Sequence, residues 1–212
     1  TRARLAVLSE IADDFTAHVR RWSQACGLGE PSLELLAWQT LVGAAPISDE
    51  RLVDYLLKAA RESKLRTTWT EPDEAFEQQI REWPAAVRAA VGAEVDAFVE
   101  SITAHGWTNS LSQKLLQLTA PGVPDVYQGT ELWDFSLVDP DNRRPVDYGL
   151  RRRLLARLDE GEVPAVDETG AAKLLLVHRA LTLRRERPDL FRGYTPLVAV
   201  GPSAGHAVAY SR

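Results

Sequence analysis

Methionine is absent from the chain and cysteine occurs once, at Cys26. A single thiol excludes an intrachain disulfide, and Cys26 reads as a small apolar group near a helix end. The four histidines, His18, His105, His178 and His206, are scattered without ligand spacing. No metal is expected, and no cofactor. Long apolar runs are missing too. The longest are broken by Lys, Arg or His, so nothing reads as a membrane span, and the start carries no signal-peptide pattern. There is no basic block, and the net charge of −5 leaves nucleic acid without an electrostatic footprint. With so little cysteine, a cytoplasmic setting is the expectation.

What is present is an ordinary globular composition, 45% hydrophobic and 26% charged over 212 residues, enough to bury a core. Most of it carries helical periodicity. Residues 3–26 read as one amphipathic helix, with Leu5, Leu8, Ile11, Phe15, Val19 and Trp22 at steps of three and four. That helix is under way with no capping residue before it. Together with the missing methionine, this suggests a portion of a longer polypeptide. Pro31-Ser32 opens a second helix to about residue 43, and Ser48 or Asp49 caps a third to about residue 63. Pro72-Asp73-Glu74 opens another, and Pro84 starts the next, with a buried stripe of Val87, Val91, Val95, Phe98 and Ile102. Gly106 is expected to end it. Asn109 then caps a helix over 110–119, closed by Pro121-Gly122.

Asp125-Val126-Tyr127-Gln128 is short, β-prone and bounded by turn formers, so a buried strand is expected at 125–128. The loop 129–147 is long, and long ordered loops are disproportionately functional. Helices follow over 148–159 and about 168–187. After Pro188, residues 197–200 and 207–210 flank a Gly-Pro-Ser-Ala-Gly turn and read as a hairpin. The fold class is mainly α with a few β strands.

The loop gathers Gln128, Glu131, Asp134, Asp139, Asp141, Asn142, Arg143 and Arg144 around Trp133. Saccharides are bound by such a mixture. Carboxylates and amides pair with hydroxyls, arginine donates in a fixed fork, and an aromatic face packs on the apolar side of a pyranose ring. By composition alone the same residues also make a solvated loop with a local Asp–Arg pair. A position directly after a strand is what brings a saccharide site level with that reading. No two of these acids are assigned as a glycosidase pair, because spacing within one loop does not fix their separation. A second cluster is Ser63-Lys64-Leu65-Arg66-Thr67-Thr68-Trp69-Thr70. From the residues, its cations complement a helix dipole and Trp69 belongs in a core. The acids of Glu71 to Glu77 read as a solvated face.

Val126-Tyr127-Gln128-Gly129-Thr130-Glu131-Leu132, followed by Asp139-Pro140-Asp141-Asn142-Arg143-Arg144-Pro145, resembles the last barrel strand and following loop of the maltooligosyltrehalose synthase family, within glycoside hydrolase family 13. Ser63 to Glu74 and Lys173 to Phe191 are also similar to that family. Thr130 stands where related amylase-type enzymes carry an acid, and Arg143 matches their arginine. The resemblance implies a partial (β/α)8 barrel, with its last strand and helices at 107–190. It implies a helical insertion over 1–106 and the start of a C-terminal β domain at 191–212. It also implies an intramolecular transglucosylase that converts the reducing-end α-1,4 bond of a maltooligosaccharide to α-1,1. In that family an aspartate forms a glycosyl-enzyme, a glutamate shuttles the proton and a second aspartate stabilises the transition state, with water kept out. All three lie upstream of the matched residues, so no catalytic residue is carried over and the chain alone is expected to be inactive. Substrate contact is carried onto Glu131, Asp139, Asp141 and Arg143, then Gln128 and Trp133, then Lys64 and Trp69. The implied partners are a maltooligosaccharide and the N-terminal part of the same polypeptide, with no nucleic acid and no membrane. A non-catalytic helical binding module and a trehalose-releasing hydrolase remain alternatives.

Overall fold

A computed structural model describes all residues, 1–212. Eight helices dominate: α1 (Arg2–Leu8), α2 (Ala12–Cys26), α3 (Pro31–Ala44), α4 (Asp49–Ser63), α5 (Glu74–Ala90), α6 (Gly92–Thr119), α7 (Tyr148–Asp159) and α8 (Ala171–Glu186). Two short strands, β1 (Thr195–Leu197) and β2 (Ala209–Ser211), complete the fold. No helix is long and apolar enough to cross a membrane. The chain divides into two compact units, Thr1–Asn109 with Asp134–Pro145, and Ser110–Trp133 with Val146–Arg212.

The first unit is a helical assembly around an aromatic core. Trp22 and Trp38 pack with ring centroids 5.3 Å apart, Trp38 and Trp83 at 4.8 Å, and Trp22 and Phe98 at 5.7 Å. Two of the buried indoles keep a partner, Trp38 Nε1 donating to Ser23 Oγ at 3.0 Å and Trp83 Nε1 to the Cys26 carbonyl at 2.7 Å. The helix starts follow their caps. Glu30 accepts from the Ser32 and Leu33 amides ahead of α3, Ser48 from Arg51 ahead of α4, and Asp73 from Phe76 ahead of α5. Arg4 is buried and donates to the Val42 and Ala45 carbonyls at 3.3 and 2.6 Å.

Four expectations are corrected here. The helix over 3–26 is two helices, broken at Ser9–Ile11. The Ser9 hydroxyl donates to the Ala6 carbonyl at 2.7 Å, and the amides of Ser9, Glu10 and Ile11 bond three residues back, tightening the chain out of the α-helix. Pro84 starts no helix but lies inside α5. Burial of Trp83 and Pro84 there offsets the backbone bond that proline removes. Gly106 and Asn109 end and cap nothing, because α6 runs through both. They are where α1 docks: a Cβ on Gly106 would sit 3.2 Å from Arg4 Cα, and Asn109 Nδ2 donates to the Ala3 carbonyl at 3.2 Å. Last, residues 125–128 form no strand. No other segment of this chain offers them a ladder, and the Asp125 carbonyl instead accepts from Gln117 Nε2 at 2.6 Å.

In the second unit, Leu132, Leu154, Leu158, Ala171 and Leu174 form a small core under α7 and α8. β1 and β2 pair antiparallel with Thr195 opposite Ser211, Pro196 opposite Tyr210 and Leu197 opposite Ala209. The hairpin is present, but its paired residues lie further from the turn than the sequence suggests, with a 3-10 turn at Ala204–His206 between them.

Candidate functional site

A cavity of about 760 Å³ opens in the first unit. Its wall is the cap Ser48 and α4, through Glu50, Arg51, Asp54, Tyr55, Leu57, Lys58 and Arg61. Opposite stand Trp69 and the loop residues Val138, Asp139, Pro140, Asp141 and Arg144. Apolar surface with a few convergent polar groups is the usual make-up of a small-molecule site.

The loop is fastened to α4 by one two-pronged contact. Arg51 Nε donates to Asp141 Oδ1 at 2.8 Å and Arg51 Nη2 to Oδ2 at 2.9 Å, while Nη2 also reaches the Phe135 carbonyl at 3.0 Å. Asp141 Oδ2 further accepts the Leu137 amide at 2.7 Å, and Arg144 Nε lies 3.3 Å from Oδ1. The Asp141 side chain is 14% exposed. Its carboxyl is held below the usual carboxylate range, first by the Arg51 hydrogen bonds and further by the Leu137 amide. A carboxylate so engaged cannot donate a proton at neutral pH, and it fastens the loop to α4. Asp139 pairs with Arg143 at the surface, their side chains 56% and 71% exposed.

A second network lies on the other side of Arg61. Glu77 accepts from Arg61 Nε at 2.8 Å and Nη2 at 2.5 Å, from Thr67 Oγ1 at 2.8 Å and from Arg81 Nη2 at 3.2 Å. Its side chain is 1% exposed. The Arg61 hydrogen bonds, supported by Thr67 and Arg81, pull the carboxyl from 4.5 down to about 2. The reading of Glu71 to Glu77 as a solvated face therefore fails at Glu77. That residue shares the inward stripe of α5 with Ile80, Pro84 and Val87, and only its arginines make burial tolerable. Arg61 places its guanidinium carbon 4.8 Å from the centroid of the Trp69 ring. The expectation of Trp69 as a core residue is overturned: it is 60% exposed.

Of the residues singled out in the sequence, the cavity brings together Trp69, Asp139, Asp141 and Arg144. Arg143 is absent from its lining, facing solvent beside Asp139. Lys64 is exposed and closes α4 in the left-handed conformation, φ 58°. Gln128, Glu131 and Trp133 belong to the second unit. There Glu131 pairs with Arg151 at 3.1 Å, and Arg151 also donates to the Gly129 carbonyl at 2.6 Å, closing the turn after Tyr127. Trp133 Nε1 donates to the Asp167 carbonyl at 2.7 Å, with the ring against Gly170. Gln128 is exposed. Sequence reading missed Arg51, Tyr55, Lys58, Arg61 and Glu77 as site-builders. Glu77 was visible as an acid on the buried stripe. Nothing local marks Arg51, whose partner lies 90 residues on.

No family model matches the chain. Curated relatives do: a protein assigned as a maltooligosyl trehalose synthase in Mycobacterium tuberculosis is 38% identical over 221 aligned residues, covering all of this chain and 28% of the relative. Among solved structures, the maltooligosyltrehalose synthase of Arthrobacter ramosus superposes on the whole chain with a TM-score of 0.94 at 49% identity, over 28% of its own length. A Sulfolobus tokodaii protein described as a hypothetical maltooligosyl trehalose synthase covers 94% of the chain with a TM-score of 0.80 at 29% identity. The chain thus matches one segment of enzymes that bear the name glycosyltrehalose or maltooligosyltrehalose synthase. All of this chain aligns with that segment of maltooligosyltrehalose synthase. It spans about 28% of the length of the curated relatives it matches.

Proposed function

We propose that the chain is part of an intramolecular transglucosylase that converts the reducing-end α-1,4 bond of maltooligosaccharides to α-1,1, giving maltooligosyltrehalose. The correspondence of the whole chain with one segment, about 28%, of the synthases carries this reading. The cavity between α4 and the Val138–Arg144 loop supports it, because it offers saccharide-compatible groups. An exposed indole, the Tyr55 side chain and the carboxylates of Glu50 and Asp54 stand beside the Arg51–Asp141 clamp. Within this reading Asp139, Asp141, Arg143, Gln128, Glu131, Trp133, Lys64 and Trp69 remain candidate substrate contacts.

Glycosyl transfer with retention needs a nucleophile and a proton donor flanking the bond. Asp141 and Glu77 are both locked to arginines and ionised well below neutrality, so neither suits the donor role. As the family resemblance implies, the reading gives this segment substrate binding and the rest of a longer polypeptide the chemistry, with the chain inactive alone in a cytoplasmic setting. That remainder is the proposed partner. Exposed Leu115, Leu116 and Val123 in the second unit are surfaces it could cover, and it could supply strand neighbours for residues 125–128. In the same reading 1–106 is a helical insertion, 107–190 closes a family 13 (β/α)8 barrel and 191–212 opens a β domain. Incubating a full-length protein carrying this sequence with maltopentaose tests the proposal. Loss of reducing ends without free glucose or trehalose is expected; rising reducing ends would make it a hydrolase.

A further inference from the structure

We propose that Arg51 is a positioning residue for substrate use: from α4, with Arg4 of α1 beside it, it holds the loop Asp134–Pro145 in its binding conformation, acting through the loop and not by touching substrate. This rests on the synthase reading and adds to it what the helices of the first unit do for that loop. The loop belongs to the same compact unit as Thr1–Asn109. It has one turn of 3-10 helix, Asp141–Arg143, and no strand. Its own backbone bonds are local, from the Asp141 amide to the Val138 carbonyl at 3.0 Å and from the Arg143 amide to the Pro140 carbonyl at 2.9 Å. Contacts from outside the loop must therefore set where it stands.

Two cations supply them from two helices. One Arg51 guanidinium takes both carboxylate oxygens of Asp141 and the Phe135 carbonyl, so a single side chain ties the start of the loop to its 3-10 turn. Arg4 meets the same start from the other side, its guanidinium carbon 4.6 Å from the centroid of the Phe135 ring. Arg4 is itself fixed by the Val42 and Ala45 carbonyls at the end of α3. Arg144 braces the loop internally, Nη2 donating to Ser136 Oγ at 3.1 Å and Nε to the Asp141 carbonyl at 3.0 Å. The geometry asks for arginine at position 51: a planar fork spans two carboxylate oxygens at a fixed angle, whereas an ammonium keeps the charge without the fork. The candidate contacts Asp139 and Arg143 stand on the stretch held in this way, exposed and paired with each other, so their placement follows that of the backbone beneath them. A loop in place before substrate arrives spares the ordering that a mobile one would undergo on binding.

The test uses a full-length protein carrying this sequence, with maltopentaose as probe. Arg51→Ala is expected to raise KM about tenfold with kcat within about threefold, and to speed amide hydrogen exchange in residues 134–145. Arg51→Lys is expected to recover part of the loss, with KM raised about threefold. Because Arg51 acts through Asp141, the double variant Arg51→Ala/Asp141→Ala should have a KM within about twofold of Asp141→Ala alone. KM for Arg51→Ala within twofold of the unaltered protein overturns the positioning role, even if exchange in the loop rises. Losses that multiply in the double variant overturn it too, since they would make Arg51 a direct contact. Where Arg51→Ala does not fold, an unchanged KM in Arg51→Lys overturns it instead. If the protein turns nothing over, the Kd of maltopentaose from calorimetry takes the place of KM. Weaker binding in Arg51→Ala without turnover would leave the positioning role standing and remove the synthase reading; synthase turnover indifferent to Arg51 would do the reverse, and neither binding nor turnover would remove both.

Discussion

Glu77 shows how a single residue changes meaning between sequence and structure. As one acid among several it looks solvated; as the buried acceptor of two arginines and a threonine it joins α5 to α4. Its pH signature has a definite sign. The carboxyl is held at about 2 against an ordinary 4.5. The unfolded chain therefore takes up the proton first on acidification. The stabilisation is complete above about pH 4.5 and is lost as pH falls toward 2, a shift worth about 2–3 kcal/mol given that Arg61 and Arg81 are partly in water. Glu77→Gln should lower the urea-unfolding free energy at pH 7 by a similar amount and flatten the acid limb of stability between pH 4.5 and 2. An unchanged acid limb would mean that the Glu77 pairs are not formed in solution. Arg143 is the opposite case. Its exposed pair with Asp139 contributes roughly 0–1 kcal/mol, so Arg143→Ala should leave thermal unfolding nearly unmoved. Any rise in KM for that variant of the full-length protein would then report substrate contact directly, and unchanged kinetics would strike Arg143 from the site.

At the scale of elements, legibility followed the range of the interaction. Helices α3, α4 and α7 begin at caps written within a few residues of their starts, at Glu30–Pro31, Ser48 and Asp147, and their extents could be read. Where a tertiary contact decides, local rules misled. Gly106 and Asn109 look like a stop and a cap, but both serve the docking of α1 on α6. Gly106→Val tests this. The close approach to the Arg4 backbone should make the change cost about 1–3 kcal/mol in urea unfolding, and an unchanged unfolding free energy would mean that α1 does not dock there. The site divides in the same way. The loop from Asp139 to Arg144 was recognisable from its crowd of acids and arginines. The wall it faces was not, because α4 looks like any amphipathic helix until Arg51 is seen to grip Asp141 from 90 residues away.

For the whole molecule, the chain's length and fold correspond along all 212 residues to one stretch of enzymes about three and a half times longer. That proportion suits a segment in which Asp141 and Glu77 are tied into loop and helix networks by arginines. Its exposed indole and open cavity suit the proposed binding role. The most direct measurement is the fate of reducing ends when a full-length protein carrying this sequence meets maltopentaose. The account predicts that reducing ends disappear while neither glucose nor trehalose is released. Reducing ends that rise, or that hold constant at high enzyme concentration, would contradict it.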